Sequence, residues 1–136
     1  MAYQSFEDLK VWQRGCRLSV DIFRIFENCR KYSLKDQIER AGLSIPSNIA
    51  EGAERGSTKD FAHFLNFSKA SCGELRTQLH IARKLELLGK SEFEKLVSET
   101  KQISAMLEGL RRSLLKNRAE HEVRRAPPGK HLKLNT

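Results

Sequence analysis

The stretch of this chain best suited to chemistry lies between Asp36 and Gly52, and its side chains suit hydrogen bonding more than catalysis. Gln37, Arg40, Ser44, Asn48, Glu51 and Arg55 recur at three- and four-residue intervals. On a helix that spacing gathers them on one face within about 80°. Arg40, Glu51 and Arg55 suit charge-assisted bonds, while Ser44 and Asn48 can reach across to Ser71, Glu74 or Gln78 on a helix alongside. Inside a bundle or between subunits, such a seam fixes register and partner choice. A site for a small molecule or nucleic acid, or a plain solvated face, are the other readings of the same residues.

Candidates for catalysis are few. His63, His80, His121 and His131 stand at no metal-ligand spacing, and neither HExxH nor Glu-x-x-His occurs. Glu74 can approach Glu51 across a bundle, but Arg40 and Arg55 beside them suit ion pairing better than paired-carboxylate catalysis. There is no glycine-rich phosphate loop. Cys16, Cys29 and Cys72 are odd in number, widely spaced and without a CxxC pair, as expected of small buried hydrophobes in a reducing cytosol. The sequence therefore predicts no enzyme, no metal and no cofactor.

The net charge of +8 points to acidic partners such as nucleic acid. It is unevenly placed. Residues 1–54 balance eight Lys/Arg against eight Asp/Glu, whereas residues 55–90 carry seven against three and residues 118–136 carry five against two. Lys59, Lys69, Arg76, Arg83 and Lys84 are expected on a broad outward face of the third helix, with Arg118, Arg124, Arg125, Lys130 and Lys133 added by the tail. Such a surface can displace counterions from a phosphate backbone. The face itself lacks interleaved aromatics, so binding there is expected to ignore sequence.

The elements that must position these groups show themselves by their punctuation. Ser5 with Asp8, Ser33 with Asp36, Ser57 with Asp60 and Ser91 with Glu94 each resemble a helix-opening pair. Gly52 with Gly56, and Gly89, serve as stops. Four helices follow, near 5–29, 33–54, 57–88 and 91–117. Loops this short impose an all-α, antiparallel, up-down-up-down four-helix bundle over residues 1–117, with a basic tail at 118–136. Pro46 should remove one backbone bond and kink the second helix. No apolar run is long enough to span a membrane and no secretory segment opens the chain, so a cytoplasmic location is expected and the Asn66-Phe67-Ser68 sequon carries no meaning.

Two helices carry more apolar surface than one core needs. In the first, Leu9, Trp12, Cys16, Phe23 and Phe26 form one stripe and Val11, Leu18, Ile22, Ile25 and Cys29 another. In the third, Phe67, Ile81, Leu85 and Leu88 form a second stripe beside Phe61, Phe64, Leu65, Cys72, Leu75 and Leu79. Either neighbours and the tail wrap both helices, or the bundle self-associates through them.

The sequence resembles the intervening-sequence four-helix bundle protein family, some of whose members are encoded within large-subunit ribosomal RNA genes. The resemblance rests on Phe6-Glu7-Asp8-Leu9 with Val11-Trp12, Asp36-Gln37-Ile38, Arg40-Ala41 and the run Ser44-Ile45-Pro46-Ser47-Asn48-Ile49-Ala50-Glu51-Gly52. Arg55, Ser71, Glu74-Leu75 and Gln78-Leu79 complete it. It spans about residues 4–115 and implies a ring-like homopentamer with no established biochemical activity. Its expected partners are copies of itself, then another protein in an adaptor role, or RNA or DNA bound without sequence preference.

Overall fold

A computed structural model describes residues 5–125. A short 3-10 helix, Phe6–Asp8, precedes four helices: α1 (Lys10–Ile25), α2 (Tyr32–Glu54), α3 (Thr58–Lys84) and α4 (Lys90–Arg125). They form an all-helical, antiparallel four-helix bundle, as the loop chemistry predicts. The α2–α3 pair is the most extensively packed, α3–α4 is next, and α1 meets α4 only lightly.

Local chemistry explains most boundaries. The Ser57 hydroxyl accepts the Asp60 N–H at 3.1 Å and opens α3, and Gly56 takes the left-handed backbone (φ 84°) needed to turn out of α2. The Ser5 hydroxyl accepts the Glu7 N–H at 3.2 Å, but it caps the 3-10 helix; α1 begins after the extended Leu9. Two expected caps are not used. Helix α2 starts at Tyr32, with Lys31 as cap residue and no side-chain bond, and α4 starts at Lys90, one residue ahead of Ser91.

The end of α3 differs from expectation for a clear reason. Gly89 is not its stop. Glu86 takes the left-handed conformation (φ 60°), and the Leu87 N–H closes back on the Ala82 carbonyl at 3.0 Å, the bond pattern of a Schellman turn. Glu86 is thus an unfavourable residue type in a position that normally selects glycine. The Arg83 guanidinium reinforces the turn by donating to the Leu88 carbonyl at 3.1 Å.

Gly52 also lies inside its helix and not at its end. A Cβ built on it would stand 2.6 Å from Phe64 Cβ, so the bare backbone here lets α3 press against α2. Pro46 is buried within α2, which runs unbroken from Tyr32 to Glu54. Helix α4 continues past Asn117 to Arg125 without interruption.

The core is made of Val11, Leu18, Ile22 and Phe26 from α1, Ile38, Ile45 and Ile49 from α2, Leu65, Leu75 and Leu79 from α3, and Leu96, Ile103 and Leu107 from α4. Spacings of three and four put each set on one helical face. Cys72 is also fully buried, and burial pushes its thiol up to about 12, so it behaves as an inert apolar residue.

Gly52→Ala should cost about 1–3 kcal/mol, because the new methyl overpacks against Phe64. Urea denaturation measures this, and an unchanged midpoint would show that α2 and α3 are not in close contact there.

Candidate functional site

The expected polar seam forms where α2 meets α3, but only its inner half closes. Ser44 Oγ lies 2.7 Å from Ser71 Oγ. The Asn48 amide donates to Ser44 Oγ and to the Ser44 carbonyl, both at 2.9 Å, and the Ser71 hydroxyl donates to the Phe67 carbonyl at 3.1 Å. Each hydroxyl has one proton, so the bonds run in order from Asn48 through Ser44 and Ser71 to the backbone. A further link was not foreseen from sequence: the fully buried Ser68 hydroxyl donates to the Ile45 carbonyl at 2.8 Å. The only sequence signal for it was a polar residue at an apolar position of the α3 stripe. Pro46 has no N–H, so α2 already lacks one ladder bond around this turn.

The outer half of the seam faces outward. Gln37, Arg40, Glu51, Arg55 and Glu74 are exposed. Glu51 and Arg55 form an exposed ion pair at 3.2 Å, worth little by itself. Among the described residues neither Arg40 nor Glu74 has an ion-pair partner. Gln78 presents a buried Oε1 with no hydrogen-bond donor. Residues that the sequence places on one face are therefore split between an internal staple and an outward-facing edge.

The predicted cationic face of α3 is divided in a similar way. Lys69 is tied to Glu108 of α4 at 3.2 Å, and Arg83 is held by the Leu88 carbonyl. Arg76 is half-buried, whereas Lys59 and Lys84 are exposed. Arg124 and Arg125 are exposed at the end of α4; Lys130 and Lys133 lie outside the described residues.

Glu108 joins three cations. It accepts from Arg111 at 2.9 and 2.8 Å, from Arg112 at 2.7 Å and from Lys69, and these bonds hold its carboxyl far below the usual carboxylate range. On the opposite side of α4, Arg14 binds Glu99 and also Gln102 at 2.7 Å, which ties α1 to α4.

Among the described residues, no nucleophile, base and electrophile are brought together. Among the described residues no group of three His, Cys, Asp or Glu side chains could hold a metal ion. None of the described helices is long and apolar enough to cross a membrane.

The polar run along α2 and its α3 partners coincide with a match to the family model described as 23S rRNA-intervening sequence protein, over residues 7–109. The chain belongs to this family. The match takes in all of α1, α2 and α3 and ends within α4. A crystal structure from Bacteroides thetaiotaomicron VPI-5482, described as a protein with unknown function from the S23 ribosomal protein family, is similar in fold. It aligns with a TM-score of 0.69 at 22% identity, covering 74% of this chain and 96% of that one. At that identity the likeness speaks to the fold alone. No curated protein matches the sequence.

Folding lowers the Glu108 pKa. Its contribution is thus present above the unfolded-state value of about 4.3 and fades as the pH falls through that range. Glu108→Gln should flatten the pH dependence of stability between about pH 5 and pH 2, as followed by helicity during acid titration. An identical acid profile would show that the four-residue cluster is not coupled to folding.

Proposed function

We propose that this chain is a non-enzymatic assembly protein, a subunit of a homopentameric ring that acts as a cytoplasmic adaptor. One observation carries the reading: large apolar side chains are left exposed in two unlike sets. Phe23 of α1 and Leu43 of α2, 44% and 52% exposed, make one. Ile81 and Leu85 of α3, 45% and 51% exposed, make the other. Apolar patches of this kind mark interfaces more often than bare surface.

The difference between the two patches bears on symmetry. A two-fold dimer needs a patch that complements itself. Two unlike patches favour a head-to-tail contact, which closes into a ring or runs on as a filament. The ring of five follows the family resemblance; the head-to-tail contact follows from the patches. Among the described residues Arg40 has no ion-pair partner and the Gln78 side-chain carbonyl lacks a donor, as expected of groups that meet their partners on a neighbouring subunit.

Light scattering should return five times the mass of one chain. Leu43→Glu and Leu85→Glu should each reduce it to one chain with helicity retained, because each removes one side of the same contact. A monomeric or two-fold dimeric native protein would refute the ring. Assembly retained in both variants would move the contact elsewhere.

A further inference from the structure

A separate feature lies near the other end of α3, at the turn that follows α2. Three rings of α3 are packed edge to face there. His63 and Phe67 have centroids 4.5 Å apart and Phe64 and Phe67 5.5 Å apart, while the Arg55 guanidinium lies 4.9 Å over the Phe64 ring. Phe67 is 46% exposed and His63 is also open to solvent, so this cluster is not part of the core. Contiguous with it is an open hollow of about 360 Å³ lined by Lys59, Asp60, His63, Asn66, Arg111 and Leu115. His63 belongs to both features and joins the aromatic surface to the hollow.

The charges around the hollow favour an anion. Lys59, Lys69, Arg111 and Arg112 are set against Asp60 and Glu108, and Lys59 has no carboxylate partner among the described residues. Glu108 holds the other three cations together, and of these Arg111 lines the hollow itself. Asn66 adds an amide able to donate to, or accept from, the edge of a base.

We infer that the Phe67–His63 surface and the Lys59–Arg111 hollow form a binding site for single-stranded nucleic acid. One base stacks on Phe67 and the adjoining phosphate lies against Lys59 and Arg111. Stacking platforms beside a cationic groove are how proteins hold single strands without reading sequence. A duplex keeps its bases stacked on one another and cannot use the ring. The site sits at the α2–α3 turn, away from the Ile81 and Leu85 patch, so it does not depend on the ring assembly. It also places the aromatic contact at one end of α3, not among the cations spread along the whole helix.

Fluorescence anisotropy with labelled oligouridine of about twelve nucleotides, in about 50 mM salt, tests this on the full-length protein. Phe67→Ala should weaken single-strand binding about tenfold and leave a duplex of the same length unaffected. Lys59→Ala should weaken both and lower the salt dependence, whereas Arg30→Ala, between α1 and α2 at the other end of the bundle, should change neither. Light scattering and circular dichroism on each variant separate lost binding from lost assembly or fold. No binding of the oligonucleotide, equal binding by Phe67→Ala, or equal preference for the duplex would each overturn the proposal.

Discussion

The structure depends on how closely α2 can approach α3. Gly52 opposite Phe64 allows the two backbones to come together, and one added methyl group would force Phe64 or the backbones to shift. Two turns earlier the Ser44–Ser71 and Ser68–Ile45 bonds close the same seam with short polar side chains, which can meet only if the helices are close. Apolar packing of Ile38, Ile45 and Ile49 against Leu65, Leu75 and Leu79 then supplies the bulk of the driving force. Polar bonds of this kind contribute roughly 1 kcal/mol each. Their larger effect is to fix register, since sliding α3 by one turn would bury unpaired hydroxyls.

That register determines what the bundle shows to its surroundings. With Ser44, Asn48 and Ser71 turned inward, Arg40, Glu51 and Glu74 are left exposed, as are Leu43 of α2 and Ile81 of α3. Charge is added at two further seams. Glu108 fastens α4 to α3 through Lys69, and Glu99 fastens α4 to α1 through Arg14. A protein organised in this way has a closely packed middle pair, with outer helices that share its apolar core and add ion pairs at its edges.

Much of this was legible in the sequence. Apolar spacing and short loops fix four antiparallel helices, and the interval between Ser44 and Asn48 places them on the face that meets Ser71. The polar ladder was read as one unit because helical periodicity reports direction only; whether a face meets a neighbour depends on the tertiary packing. The same limit hid the division of the α3 cations, since Lys69 is claimed by a glutamate 39 positions away. Boundaries failed where backbone conformation overrode residue type. Gly52 resembles a stop signal and is a packing residue, while Glu86 does not resemble a stop signal and yet makes the turn. The hollow beside the aromatic cluster was obscured because Arg111 and Leu115, which complete it, come from α4.

If the α2–α3 seam organises the rest, those two helices must be the last to open. Native-state hydrogen exchange reads this residue by residue. The slowest amides should cluster around Ile45, Ile49, Leu65 and Leu75 and exchange only on global unfolding, with α1 and the far end of α4 opening earlier. Protection in α1 or α4 that outlasts α2 and α3 would contradict it.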